Sequence, residues 1–437
     1  MTTRTSSPLG KALFAGWWAM VAILPIGHLT GLRNAWTVVI VVATLAWVRR
    51  DAWQDLPART TLLVLLAWCA ASIGWSTSPE VSFGKFRSDL LIPLLSYAAA
   101  YGYARHTGSI RPIVGGLVTG LALLAVGSLY AFVPPPEALG LHEWIRTETF
   151  ANIVTPMPIW YPGVGDASMA ASLAAGLFLF ARRIGDAIGR TALGIGWLAL
   201  LVIVWIANNR NAEIGIAVVA IVCLWMSRRR RNPAASSRRT TVLAVGVAVV
   251  AIVLVGVQLE SGARARLEAL KIPIAPGQSA FVELTSRDTR PMIWSYYTRL
   301  ALKSPWIGVG FGRTVPGIHY GTEKDVALAR IEVNAYTHAH NLFLNWWLQT
   351  GAIGVALLTI ALAQLVAAAL RRPGYARPAG FAMLAILALM LIRDATDDFL
   401  IYGMATLFWT LLGGLAGLRS PTVAARAVAG DARASRG

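Results

Sequence analysis

Long apolar runs, broken at intervals by short polar clusters, fill most of the chain. Windows able to cross about 30 Å of hydrocarbon at about 1.5 Å per residue predict twelve spanning helices, near 11–29, 34–48, 60–76, 87–104, 112–134, 166–182, 191–208, 211–227, 240–258, 342–370, 376–393 and 398–418. The second is short, and the turn leading into it, HLTGLRN, is tight. The first span lacks a small-residue cleavage site and is followed at once by another, which argues against a removed signal peptide. The expected fold is therefore an all-α polytopic membrane protein of about twelve transmembrane helices. Residues 1–258 carry the first nine spans, 259–340 form a large external loop region, 341–418 carry the last three spans, and 419–437 form a tail.

Two external segments exceed the length of a turn: 135–165, which begins PPPEALGLHEW, and 259–340. Loops of that size usually carry function. Trp294, Tyr297, Leu300, Ala301 and Trp306 recur with helical spacing in the second. That spacing predicts short amphipathic helices on or near the membrane surface rather than an independent soluble domain. No internal repeat of fixed period is present.

Composition agrees with the pattern. Of 437 residues, 56% are hydrophobic and 14% charged, with mean hydropathy +0.59, too few polar groups to cover a soluble surface. The net charge of +18 would suit a nucleic-acid binder until it is placed on the span map. The Lys/Arg excess then falls on one face, strongest at SRRRRNPAASSRR (227–239), RRPGYAR (371–377) and the tail from Arg419. This positive-inside bias puts both termini in the cytoplasm and the two long loops outside. Topology and contact with anionic membrane lipids account for the basic runs, so nucleic acid is not needed as a partner. Cys69 and Cys223 lie inside apolar runs and form neither a disulfide framework nor a metal site.

Ionisable groups near membrane depth are costly and usually face a bundle interior or a wet cavity. Arg210 in IANNRNAEIG, Arg287 and Arg290 in SRDTRPMIW, His338 and His340, and the joint RDATDD (393–398) all map to the external face. Arginines beside histidine there suggest an anionic ligand held by forked guanidinium bonds next to a proton carrier. Simpler readings stand beside this one. Arg210 can snorkel to the interface, and Arg287 and Arg290 can pair with Asp288 or Glu283. RDATDD reads as a solvated turn with an internal salt bridge, its alternative being support for a histidine or an arginine, with Asp394 the candidate. His28, His106, His142 and His319 receive no role.

On a helix, His338, Asn341, Asn345 and Gln349 would form one polar stripe. If the helix starts only after His340, that periodicity says nothing about either histidine. The His-x-His spacing invites zinc, but no carboxylate or cysteine stands nearby in sequence to complete a shell, so no metal or other cofactor is expected. No G-x-S-x-G nucleophile elbow occurs. Proton abstraction from a substrate hydroxyl is the simpler assignment.

His340-Asn341, nine residues, then Gly351-Ala352-Ile353-Gly354 resembles the H-N-x9-G-x-x-G signature of bacterial O-antigen ligases. Upstream, RDTRPMIWSYYTRLALKSPWIGVGFG (287–312) is similar to the arginine, tryptophan and P-x-x-G-x-G-x-G stretch of the wider ligase and polymerase superfamily. The resemblance implies a glycosyltransferase of the bacterial inner membrane, polytopic like the C-type enzymes and working without a metal. It would act at the periplasmic face, moving O-antigen polysaccharide from undecaprenyl diphosphate to the lipid A-core acceptor, with no obligatory protein partner. It places His340 at the motif histidine beside Asn341, Arg290 at the arginine ahead of the tryptophan, and Arg210 at an arginine of an external span end. The stripe argument favours His338 instead; the motif is followed. An O-antigen polymerase and a protein O-oligosaccharyltransferase are the nearest alternatives, and a transporter of the lipid-linked glycan is the alternative of another class. Trp144, Trp160, Tyr161, Trp294, Tyr297 and Trp306 could stack on sugars, or belong to an interfacial belt.

Overall fold

In a lipid setting every backbone amide must find its partner within the protein, and the apolar runs do so as helix. The computed structural model describes residues 7–26, 30–48, 53, 55–130, 164–184, 188–207, 209–229, 289–321, 338–372 and 376–418, with isolated positions between 260 and 283 and at 323. Among the described residues there is no strand. The helices are α1 (Pro8–Ile23), α2 (Thr30–Trp47), α3 (Arg59–Ser72), α4 (Pro79–Lys85), α5 (Ile92–Thr107), α6 (Arg111–Tyr130), α7 (Val164–Ala181), α8 (Arg190–Ala207), α9 (Arg210–Arg229), α10 (Arg290–Ala301), α11 (Val315–His319), α12 (Leu342–Leu370), α13 (Arg377–Asp394) and α14 (Tyr402–Gly417). A π-helical segment, Phe86–Leu91, joins α4 to α5.

A helix lies within eleven of the twelve predicted spans; 240–258 falls outside the described residues, as do most of the 135–165 segment and the tail from 419. Among the described residues, three helices are both long and apolar enough to cross a membrane: Arg111–Leu129, Arg190–Ala207 and Leu342–Leu370. Several others, such as Pro8–Ile23 and Arg59–Trp75, are apolar but shorter. The structure thus establishes an all-helical bundle with membrane-type helices rather than a count of twelve crossings.

Packing pairs α5 with α14, α7 with α13, α1 with α6, and α3 with α12. Small residues permit the closest of these approaches. A Cβ on Gly413 or Gly417 of α14 would stand 2.2 Å from the carbonyl oxygen of Tyr97 or Tyr101, and one on Gly116 of α6 would stand 2.3 Å from that of Trp18. One end of the bundle collects Arg59, Arg105, Arg111, Arg190, Arg371 and Arg377, and the one acid among the described residues there is Asp55, paired with Arg105. The other end carries His338 and His340, the aspartates of 394–398, Arg290 and Arg313. Charge segregation read from the sequence is therefore present in three dimensions.

Candidate functional site

The site is built on a break in α12. Gly351 has φ 67 and ψ −176, a conformation open essentially to glycine alone. The break withdraws two helical hydrogen bonds, and the segment after α10 replaces them. Val309 N donates to the Leu348 carbonyl at 2.9 Å and Gly310 N to that of Gln349 at 2.9 Å; Ala352 N donates to the Pro305 carbonyl at 2.8 Å and Ile353 N to that of Trp306 at 3.4 Å. The indole of Trp68 on α3 donates to the Thr350 carbonyl at 3.0 Å. No side chain fits between these backbones: a Cβ on Gly351 would lie 2.0 Å from the Trp306 oxygen, and one on Gly308 2.4 Å from the Gln349 carbonyl carbon. The glycines of PWIGVGFG and of the G-x-x-G pair thus clamp the loop region to the membrane helix.

Beyond the clamp, α10 lies across the start of α12. Its buried face, Ile293, Tyr296, Tyr297, Leu300 and Ala301, packs with Val309, Val315, Tyr320, Ala339 and Leu348. The helix is amphipathic as predicted, but its apolar face is covered by this protein rather than laid on the membrane. Trp306 lies outside it and is 69% exposed. One turn apart on α10, Arg290 Nε donates to the Thr396 carbonyl at 3.0 Å and Trp294 Nε1 to the His340 carbonyl at 3.3 Å.

α12 begins only at Leu342, with Asn341 as its N-cap, whose side chain accepts from Leu344 N at 3.0 Å. His340 sits just before it with φ 48. His338 is therefore not on the helix, and the predicted polar stripe shrinks to its helical members. These face protein: Asn345 Nδ2 donates to Asp398 Oδ2 at 2.5 Å, and Gln349 Oε1 accepts from Gly312 N at 2.8 Å. The Asn341 amide donates to the Ala395 carbonyl at 2.8 Å, which fixes the joint between α13 and α14 against the histidines.

That joint supplies the centre of the site. Asp397 Oδ1 lies 3.0 Å from His338 Nε2, 3.3 Å from His340 Nδ1 and 3.6 Å from Arg313 Nη2, and accepts from Asp398 N at 2.8 Å. The imidazole rings lie with centroids 3.9 Å apart and planes tilted by 40°, and the Arg313 guanidinium also meets His338 Nε2. The two histidines differ in what remains available. His338 Nε2 is taken up by Asp397 and Arg313, whereas His340 Nε2 is buried and has no hydrogen-bond partner among the described residues. In the tautomer that carries its proton on Nδ1, facing the carboxylate, Nε2 of His340 would present a lone pair.

Charge states follow from burial and contact. Burial pushes His338 down to about 4, and the hydrogen bond with Asp397 only partly opposes this, so this ring is neutral at pH 7. Burial alone would raise Asp397, but the hydrogen bonds from the two histidines outweigh it and hold the carboxyl well below the usual range. The site is then a carboxylate between imidazoles, with Arg313 alongside.

His338, His340 and Asp397 are also spaced to hold a metal ion, with their ligand atoms within 4.8 Å of one another. No carboxylate stands near the histidines along the chain; the fold brings one from more than fifty residues away. The donor set nonetheless fits a cation poorly. Its single facing carboxylate oxygen already accepts a backbone amide, and a permanent guanidinium charge stands against both that oxygen and His338 Nε2.

Of the other expected residues, Arg210 opens α9 beside Asn211, whose amide meets the Thr396 hydroxyl; the Arg210 side chain lies outside the described set, as do Arg287 and Asp288. Asp394 does not touch a histidine. It accepts from Phe399 N at 2.9 Å and shapes the turn, while Asp397 takes the supporting role. The 393–398 joint is not a solvated turn: Arg393, Asp394 and Asp398 are 2%, 1% and 2% exposed, and Arg393 stacks over Phe399 and donates to Ser168 Oγ at 3.2 Å. Burial follows because four helices meet there. His106 packs edge-on to Trp47 and His319 meets Thr77, away from this cluster. Trp144, Trp160 and Tyr161 lie outside the described residues. Arg313 was missed, although it directly follows the glycine motif; Asp397 could be named from sequence only as one of three aspartates in RDATDD.

Residues 195–359 match a protein-family model described as O-antigen ligase. The match runs from within α8 to within α12, including Arg290, Arg313, both histidines and the glycine clamp, and stops short of Asp397. No curated protein matches the chain. The matched stretch supports membership of the O-antigen ligase and polymerase superfamily, whose substrates are lipid-linked glycans at a membrane.

Proposed function

We propose that the protein is an O-antigen ligase, transferring polysaccharide from undecaprenyl diphosphate to the lipid A-core at the periplasmic face of the inner membrane. The observation that carries this reading is His340: Nδ1 on Asp397, Nε2 without a partner among the described residues, and Arg313 beside the same carboxylate, within a stretch that matches an O-antigen ligase family model.

A diphosphate leaves readily once its charge is met, so the chemistry asks for cations and one base. His340 Nε2 takes the proton of the acceptor sugar hydroxyl as its oxygen forms the new bond to the anomeric carbon. The bond to the diphosphate breaks from the opposite side, the configuration inverts, and undecaprenyl diphosphate departs with the electron pair. Asp397 stabilises the imidazolium formed. Arg290 and Arg313, with Arg210 and Arg287 as further candidates, meet the developing charge by forked contacts. No step calls for a metal, and no protein partner is required.

The test is glycan transfer by purified protein supplied with both lipids and no ATP, together with complementation of a ligase-deficient strain. Long-chain lipopolysaccharide supports the ligase. Extension of the donor glycan without an acceptor core would instead indicate a polymerase, and movement of donor without transfer would indicate a transporter.

A further inference from the structure

At the opposite end of α12 from the histidines, a cavity of about 660 Å³ opens between that helix and the start of α3. About 29 residues at 1.5 Å each separate the two ends, so the cavity is remote from the candidate active site. Arg59 and Arg371 flank it, with Thr60 and Gln364 between them, while Leu63 and Ala368 give it an apolar wall. Neither arginine makes a side-chain hydrogen bond or ion pair among the described residues, unlike Arg105, which pairs with Asp55, and Arg372, which donates to the Leu415 carbonyl at 2.7 Å. The wall continues outward along exposed Leu63 and Val64 of α3 and Ile360 of α12, 55%, 48% and 47% exposed. The floor is fixed, since Tyr97 donates to the Pro57 carbonyl at 3.0 Å.

We propose that this cavity binds an anionic glycerophospholipid of the leaflet at the arginine end, its phosphodiester between Arg59 and Arg371 and its acyl chains along the groove between α3 and α12. The charge is complementary, because two guanidiniums that pair with no described residue border the opening, on the end of the bundle where described acids are nearly absent. The shape is also complementary: polar groups line the mouth, and apolar side chains face the lipid interior. A zwitterionic headgroup places its own ammonium beside the same arginines and is disfavoured. Because α3 also supplies Trp68 to the Gly351 break, a lipid bound here staples the two helices that support the clamp.

The test uses the full chain in detergent, titrated with phosphatidylglycerol, phosphatidylcholine or inorganic phosphate and followed by thermal unfolding and native mass spectrometry. Phosphatidylglycerol is expected to raise the melting temperature saturably and to persist as a bound mass, with the other two having little effect. An Arg59→Gln/Arg371→Gln variant is expected to need about 10- to 30-fold more phosphatidylglycerol for half the shift. Ala368→Trp, which places an indole in the cavity and leaves both charges, should weaken the shift and remains informative if the charge variant folds poorly. An equal response to phosphatidylcholine, to phosphate alone, or in both variants would overturn the proposal. Glycan transfer plays no part in this readout, so it stands or falls separately from the proposed activity.

Discussion

Replacing Asp397 with Asn keeps the volume and one acceptor but removes the charge on which the histidine pair converges. At the 3.3 Å separating Oδ1 from His340 Nδ1, a carboxylate and an imidazolium attract by about 5 kcal/mol at an effective dielectric of about 20. Arg313, 3.6 Å from the same oxygen, competes for that field, and partial exposure screens it. About half survives, so the transition state loses about 2–3 kcal/mol, a fall of about 30- to 150-fold in kcat. His340 also loses the bond that fixes its tautomer, which acts in the same direction. Steady-state transfer from a prenyl-diphosphate glycan to lipid A-core, with donor and acceptor varied separately, would show kcat falling while donor KM changes little. A variant transferring at the wild-type rate, or one losing only donor affinity, refutes the assignment of Asp397 as the partner of the base.

His340→Ala should lose about 10²–10⁴-fold in turnover, whereas His338→Gln should keep measurable transfer, because His338 Nε2 is already bonded to Asp397; parallel rate measurements on folded protein decide this. His338 is held neutral with its pKa lowered to about 4 from 6.5, so the unfolded chain binds its proton first, and stability falls as pH drops from about 6.5 to about 4. The loss is on the order of 3 kcal/mol; thermal unfolding across that window should show a slope that His338→Gln reduces. Gly351→Ala should destabilise by more than about 2 kcal/mol, since a Cβ meets the Trp306 carbonyl at 2.0 Å and φ is 67; a normal melting temperature for this variant would count against the clamp. Prolonged treatment with a strong chelator should leave transfer unchanged, and restoration of a lost rate by zinc alone would reinstate His338, His340 and Asp397 as metal ligands.

Hydropathy and charge along the chain determined that this is an all-helical membrane-type protein, where most of its helices run and which end carries the arginines. Those properties are local or additive, so they survive without coordinates. The motif points to His340 over His338; in the structure the helix starts at Leu342, and of these two rings His340 has a buried nitrogen, Nε2, with no hydrogen-bond partner among the described residues. Other features arose only on folding. Asp397 reaches the histidines because Asn341 and Arg290 pin the 395–396 backbone, a meeting of segments far apart in sequence that no periodicity encodes. RDATDD looked solvated because its composition is polar, and it is buried because helices converge over it. The glycines of PWIGVGFG read as a motif without a mechanism until Gly351 broke α12 and exposed carbonyls for them to cover. Sequence thus supplied the elements and the reactive side chains, while tertiary structure chose which aspartate, which imidazole nitrogen and which arginine stand together.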